Sequence, residues 1–155
     1  MYGNDRVGIK LSPGGGYNDM GMTEKDTAET YGYLIKELNN RRLAYIQLAR
    51  YWALGDPTKR GTEIDIFQWR PLIDSKYTAL FVNTNYDKEQ GEEVLKSGLA
   101  DAVVFGRFYI TNPDLAQRLI NNQELNTDFK IHNFYDGEAE GYTDYPTYEQ
   151  QQKLP

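Results

Sequence analysis

The sequence contains no cysteine among its 155 residues. Disulfide bonds, thiolate metal sites and cysteine nucleophiles are therefore excluded. The first six residues lack the apolar stretch of a signal peptide, and no apolar run approaches the length of a membrane-spanning helix. Nothing in these absences favours secretion, and we expect a cytoplasmic protein.

The sequence also has fewer basic than acidic residues, with 17 Lys and Arg against 23 Asp and Glu, which gives a formal net charge of -6. A chain of this sign is a poor general partner for nucleic acid or an anionic membrane. A local phosphate site remains open, because it needs only one or two cations and some backbone donors. The single histidine, His132, and the scattered carboxylates predict no metal site.

Four short apolar segments alternate with helix-type patterns, and they lie at residues 7–11, 43–49, 79–82 and 102–105. Between them, Thr23 is placed to cap one helix, Asp87 a second, and Asn112 a third. This order predicts an α/β fold built from parallel βαβ units. The periodicity alone leaves two arrangements open, part of a (β/α)8 barrel and a small open doubly wound sheet.

The remaining stretches are polar and irregular in pattern. Residues 51–63 are expected to form a solvated loop, and residues 121–155 a largely irregular tail that is anchored by aromatic side chains. A full (β/α)8 barrel needs roughly 250 residues, so a chain of 155 holds only part of one. We therefore treat residues 1–155 as a single partial domain.

A motif suited to phosphate follows the last apolar segment, where Gly106 and Arg107 precede the predicted third helix. Glycine lets a backbone N–H approach a ligand without a Cβ in the way, and arginine offers a planar charged fork. From the residues alone, a packing glycine beside a solvated arginine is the competing interpretation.

Several segments together resemble the Old Yellow Enzyme family, the FMN-dependent ene-reductases related to 12-oxophytodienoate reductases. Their order and spacing across nearly the whole chain make the resemblance specific, and residues 141–146 (GYTDYP) match best. The matching segments are residues 6–13, 85–87, 101–107, 111–115, 134–135 and 141–149. The resemblance implies the C-terminal half of a (β/α)8 TIM barrel, strands five to eight, without the strands that carry the family's substrate-binding pair and proton-donating tyrosine.

The resemblance also implies an FMN phosphate site. Gly106 and Arg107 correspond to the family's phosphate-binding Gly-Arg after strand eight. Thr84 and Asn85 correspond to the loop after strand seven, and their backbone N–H groups would complete the cradle. The family usually has glycine at the position of Thr84, and a β-branched residue resists unusual backbone angles there.

Other cofactor contacts are implied for Lys10, Phe134 and Tyr135. The family usually has arginine at position 10, near flavin N1 and the C2 carbonyl, and lysine keeps the charge without the bidentate fork. The aromatic pair would pack beside the flavin ring, or alternatively anchor the C-terminal tail. No catalytic residue of the family falls within this sequence.

The function that the resemblance implies is that of an FMN-dependent NAD(P)H oxidoreductase that reduces the C=C bond of α,β-unsaturated carbonyl compounds. NAD(P)H would bind transiently as the hydride donor. Two alternatives are a non-catalytic remnant or flavin- or partner-binding module, and an unrelated phosphate-binding α/β protein. Because half a barrel has open sheet edges, we expect an N-terminal half or a second copy to cover them.

Overall fold

The computed structural model describes residues 3–17, 20–136 and 138–153. The chain divides into two compact units, Met1–Val104 and Phe105–Pro155. Each unit is built around its own set of contacts. That residues 1–155 act as a single partial domain stays a prediction.

The first unit contains a four-stranded sheet in which all strands are parallel, in the order β1-β2-β3-β4. The strands are β1 (Gly8–Leu11), β2 (Tyr45–Ala49), β3 (Ala79–Asn83) and β4 (Ala102–Val104). Each lies within one of the predicted apolar segments or extends it by a single residue. Parallel neighbours in sequence order are the arrangement of a barrel wall, and the predicted partial (β/α)8 barrel is confirmed.

Two α-helices connect the strands of this unit, α1 (Glu24–Asn40) between β1 and β2, and α2 (Lys88–Lys96) between β3 and β4. Both begin as predicted, because Thr23 Oγ1 accepts the N–H of Asp26 at 3.1 Å and an Asp87 carboxylate oxygen accepts that of Gln90 at 2.8 Å. The connection from β2 to β3 has only two 3₁₀ helices, Ala53–Gly55 and Ile66–Leu72.

The two faces of the sheet differ in burial. Ile46, Leu48, Leu80 and Val82 are completely buried, and a Cβ on Gly91 of α2 would lie 3.7 Å from Val103, so this face packs against the helices. The opposite face stays partly open. Its central row of register partners is Lys10, Gln47, Phe81 and Ala102, and Tyr45 stacks on Phe81 with ring centroids 4.6 Å apart. In a closed barrel this open face would line the interior.

Where the structure describes the second unit, at residues 105–136 and 138–153, it has four short helices, α3 (Arg107–Thr111), α4 (Leu115–Asn121), α5 (Asn133–Asp136) and α6 (Tyr148–Gln151). The helix predicted to begin at Asn112 begins instead at Leu115. The Asn112 side chain is fully buried and bonds to the backbone of Asn126 through both its oxygen, at 2.7 Å, and its nitrogen, at 3.0 Å. It therefore holds the tail rather than capping the helix.

Hydrogen bonds from the buried Arg118 tie the same tail to α4. Arg118 is 1% exposed, and its Nε donates to Asp114 at 2.8 Å. The other guanidinium nitrogens donate to the carbonyls of Glu124 and Pro146. Burial alone would raise the pKa of Asp114, but the bonds from Arg118 and from the N–H of Tyr148 outweigh it and hold the pKa below its usual value. No helix in the described part of the chain combines the length and apolar character needed to cross a bilayer.

Candidate flavin-phosphate site

The residues that follow β2 and β3 lie at neighbouring positions, because Ala49 and Asn83 are register partners at the carboxyl ends of the two strands. Thr84 and Asn85 come next in the chain and both have positive φ, 87° and 55°. Asparagine tolerates the left-handed region, but a β-branched threonine does not do so readily, at a cost of about 1–3 kcal/mol. Such a conformation persists only where the surroundings enforce it.

The Thr84 hydroxyl is engaged within the turn itself. It donates to Asn83 Oδ1 at 3.1 Å, and Asn83 Nδ2 donates in turn to the carbonyl of Val104 at 3.1 Å. A hydroxyl has one hydrogen to donate, and here that hydrogen is used by asparagine. The Thr84 hydroxyl therefore has no hydrogen left to donate to an anion.

Arg50, the residue directly after β2, accounts for the conformation of the turn. Its backbone N–H donates to the carbonyl of Asn83 at 3.1 Å, its Nε to the carbonyl of Thr84 at 2.6 Å, and its Nη2 to the carbonyl of Asn85. One residue thus holds three successive carbonyl groups. We call this arrangement the Arg50 clamp.

Two further contacts fix the guanidinium of the clamp. Arg50 Nη2 also donates to Gln90 Oε1, at 2.8 Å, in the first turn of α2. Its Cζ lies 3.9 Å from the ring centroid of Tyr86, which is 4% exposed. Burial raises the pKa of the Tyr86 hydroxyl, an effect that the nearby Arg50 charge partly offsets.

The connection after β2 is largely exposed, as predicted for a solvated loop at residues 51–63, and it is organised around one buried acid. Asp56 is 3% exposed, and its carboxylate accepts hydrogen bonds from Tyr51 Oη, Thr58 Oγ1 and Gly61 N at 2.8–2.9 Å. Burial alone would raise its pKa, but these bonds outweigh it and lower the pKa of Asp56 to about 2. Sequence reasoning missed this residue, although an Asp-Pro-Thr sequence signals a turn that the carboxylate stabilises.

The same acid brings together the loops after β1 and β2. Gly16 has a φ of 85°, and a Cβ at this position would lie 2.5 Å from the carboxyl carbon of Asp56. The Thr62 N–H donates to the carbonyl of Gly14 at 2.7 Å. The glycine-rich stretch after β1 is therefore needed for close packing of two loops, and no phosphate-binding role is required to explain it.

In the second unit, Gly106 occupies the N-cap position of α3 and faces open space. A Cβ built on Gly106 would meet no heavy atom within 4 Å among the described residues. Packing inside the protein therefore does not explain why this position lacks a side chain. Arg107 follows it, with Cζ 5.3 Å from the ring centroid of Phe129.

The other predicted cofactor contacts have mixed surroundings. Lys10 is exposed on the open face of the sheet, in register with Gln47. Phe134 packs near Tyr142, with ring centroids 6.3 Å apart, which suits the alternative role of anchoring the tail. Tyr135 is 87% exposed. Their roles beside a flavin stay predictions.

No group of three or more His, Asp or Glu side chains in the described ranges is placed to hold a metal. In the first unit, the left-handed backbone at Thr84 and Asn85 is of a kind that suits an anion, and in the second unit Gly106 by itself leaves room for a ligand. A cavity of about 150 Å³ on the other side of the turn is lined by Arg50 and by the two acids Glu63 and Asp65, so negative groups outnumber the single cation there.

Comparison with known proteins places the chain among flavoproteins. The profile of the NADH:flavin oxidoreductase / NADH oxidase family matches residues 1–126. A curated relative, a probable flavin mononucleotide-dependent alkene reductase of Leishmania infantum, is 32% identical over 93% of this chain and 36% of its own length. The chain thus spans a little over a third of that relative.

Solved structures give the same result. The old yellow enzyme from Trypanosoma cruzi superposes with a TM-score of 0.78 at 32% identity, covering 94% of this chain and 36% of the other. A morphinone reductase N189A mutant in complex with tetrahydroNAD superposes with a TM-score of 0.75 at 33% identity, covering 99% of this chain and 39% of the other. The chain therefore belongs to the NADH:flavin oxidoreductase / NADH oxidase family, whose members include the FMN-dependent Old Yellow Enzymes.

Proposed function

We propose that this chain supplies the FMN phosphate site of an FMN-dependent NAD(P)H ene-reductase. The observation that carries the proposal is the pair of left-handed residues after β3. Thr84 keeps a backbone conformation that glycine adopts without strain, and a β-branched residue does so only against a steric cost. A turn that is maintained at such a cost at the carboxyl end of a barrel strand favours a ligand-binding role.

The proposed contacts with phosphate are the backbone N–H groups of Thr84, Asn85 and Gly106, together with the Arg107 guanidinium. Amide donors and a planar cation neutralise a phosphate dianion by charge-assisted hydrogen bonds. Lys10 would lie beside the flavin edge where negative charge develops on reduction, and its ammonium group would stabilise that charge.

When bound, FMN would supply hydride transfer from NAD(P)H to the β-carbon of an α,β-unsaturated carbonyl compound. This chain's residues would bind and orient the cofactor, and none of them is proposed as the proton donor. The name alkene reductase on one relative and the tetrahydroNAD complex of another support this substrate and donor class.

The open face of the sheet supports a partner for the chain. The row of Lys10, Gln47 and Phe81 is exposed or half-buried and has the position of a barrel interior. We propose that the N-terminal half of a barrel, or a second copy of the chain, covers it. Size-exclusion chromatography with light scattering tests this, and a monomer that resists dilution and unfolds cooperatively would contradict it.

Reconstitution with flavin tests the proposed function. The purified chain is titrated with FMN and, as the matched ligand without phosphate, with riboflavin, and flavin fluorescence is followed. Tighter binding of FMN than of riboflavin is expected, because only FMN carries the phosphate. NADPH oxidation with cyclohexenone is then measured on the loaded protein. Binding without turnover would favour the non-catalytic flavin-binding module, and equal affinity for the two flavins would contradict the phosphate site.

A further inference from the structure

Beyond the phosphate contacts themselves, the clamp at the end of β2 has a role that the proposed function leaves open. We infer that Arg50 is a positioning residue, which turns the backbone N–H groups after β3 toward the bound phosphate by holding the carbonyls on their other side. This inference rests on the proposed function of the Thr84–Asn85 turn.

The first step of the argument is peptide geometry. In a trans peptide the C=O of one residue and the N–H of the next point in opposite directions, and the described peptide bonds are all trans. Arg50 holds the carbonyls of Asn83, Thr84 and Asn85. The N–H groups of the next residues, Thr84 to Tyr86, are therefore directed away from Arg50.

The second step concerns strain. An unusual φ at threonine needs surroundings that over-determine it, and three hydrogen bonds to consecutive carbonyls do this. Arg50 is itself fixed by Gln90 and by the buried ring of Tyr86. The clamp is thus anchored in α2 and the core, and it holds the turn without any contact from a ligand.

The third step is the choice of arginine. The Nε and Nη2 atoms of one planar group reach two different carbonyls while the same plane lies over an aromatic ring. A lysine ammonium group carries the same charge but cannot make this arrangement. A role in positioning therefore requires arginine, whereas simple attraction of phosphate by positive charge would be met by either residue.

The test compares Arg50→Lys with the wild-type chain and with Arg42→Lys as the matched control. Arg42 precedes β2 at the other end of the sheet and also stacks on a tyrosine, with Cζ 4.2 Å from the Tyr77 ring centroid. Dissociation constants for FMN and riboflavin are measured for all three proteins. Amide hydrogen exchange of residues 84–86 is measured on the flavin-free proteins.

We expect Arg50→Lys to weaken FMN binding about tenfold, the scale of one charge-assisted hydrogen bond, and riboflavin binding by less than about twofold. Exchange at residues 84–86 should become faster, while exchange in the cores of β2 and β3 stays unchanged. Arg42→Lys should change neither quantity. An Arg50→Lys protein with wild-type FMN affinity and wild-type exchange would overturn the inference, and so would an equal loss of affinity for both flavins.

The inference and the proposed function fail in different ways. If the wild-type chain binds neither flavin, the proposed function fails, and hydrogen exchange alone decides the clamp. Faster exchange confined to residues 84–86 in Arg50→Lys would then support a clamp that holds the turn, and unchanged exchange would refute it. If the wild-type chain and Arg50→Lys bind FMN equally tightly, the phosphate site is supported and the positioning role of Arg50 is refuted.

Discussion

The two ends of the parallel sheet use charged side chains in opposite ways. At the amino ends of β3 and β4, the Asp101 carboxylate accepts a hydrogen bond from the Leu80 N–H at 2.7 Å. It also accepts a bidentate pair of hydrogen bonds from the Arg70 guanidinium at 3.0 and 3.1 Å. At the carboxyl ends, Arg50 instead holds neutral carbonyls around left-handed Thr84 and Asn85.

The difference suggests that the amino ends of the strands contribute stability and the carboxyl ends contribute the proposed ligand site. An acid and a base that satisfy each other beside regular backbone stabilise the fold and leave nothing for a ligand. At the carboxyl end, Arg50 holds a strained turn, which under the proposed function presents backbone donors to a ligand. Barrel enzymes commonly separate stability and function between the two ends of their strands in this manner.

The largest expected effect comes from breaking the amino-end contact. Asp101→Ala removes the acceptor of three hydrogen bonds and leaves the part-buried Arg70 without its carboxylate. We expect the free energy of unfolding to fall by about 2 kcal/mol. Urea denaturation measures this loss, and the FMN affinity of the protein that remains folded should be unchanged.

The control for this variant is Glu29→Ala, which breaks the exposed Lys25–Glu29 pair on α1. Exposed pairs of this kind contribute about 0.3–0.5 kcal/mol. If Asp101→Ala were no more destabilising than Glu29→Ala, the amino end would not be the stabilising end, and the comparison would lose its basis.

The second prediction concerns a glycine that packing does not require. Gly106→Ala places its methyl group in open space, so the free energy of unfolding should change by less than about 0.5 kcal/mol. FMN affinity should nevertheless fall about tenfold, because the methyl group would occupy the approach of the phosphate. Riboflavin affinity should change far less.

Gly32→Ala in α1 is the matched substitution. Its Cβ would make an ordinary contact 3.5 Å from Trp69, and alanine in a helix is favoured over glycine by about 0.5–1 kcal/mol. This protein should be slightly more stable, with unchanged affinity for both flavins. An unchanged FMN affinity in Gly106→Ala would remove Gly106 from the proposed site.

The third prediction reverses the departure from the usual family residue. Thr84→Gly replaces a strained threonine by a residue that adopts positive φ freely, and the relief of strain is expected to stabilise the fold by about 1 kcal/mol. FMN affinity should rise or stay the same. A clear loss of stability would mean that the bond from the Thr84 hydroxyl to Asn83 outweighs the strain, which thermal unfolding would reveal.

The sequence predicts the sheet better than the connections between its strands. Apolar segments bounded by turns locate all four strands, and the caps at Thr23 and Asp87 locate two helix starts, because these signals are local. The family resemblance identifies Thr84 and Asn85 as a turn of interest. It does not reveal their shared clamp, because Arg50 lies 34 and 35 positions earlier in the sequence and meets them only through strand pairing.

Asn112 and Asp56 illustrate the same limit. Asparagine before proline is a good local signal for a helix start, but the contact of Asn112 with Asn126 moves the start to Leu115. The polar composition of residues 51–63 predicts a loop but does not reveal the buried Asp56 within it, because a single carboxylate with several donors leaves no periodic trace in a sequence. The local sequence pattern carries no information about polar contacts between residues that are distant in the sequence.

The last prediction is the one that most refines the contrast between the two ends, since Asp56 stabilises loops at the carboxyl end. The folded-state pKa of Asp56 is about 2, below its ordinary value of 3.8, so the carboxylate favours the folded state. Its contribution is complete above about pH 4 and is lost as the pH falls toward 2, since the unfolded chain takes up the proton first.

Asp56→Asn cannot titrate, and other acids such as Asp114 titrate alike in both proteins. The difference in Tm between the wild-type chain and Asp56→Asn should therefore be constant from pH 7 to 5 and should shrink between pH 4 and 2. A difference that stays constant down to pH 2 would mean that the charge of Asp56 does not hold these loops, and that the carboxyl end is stabilised by packing instead.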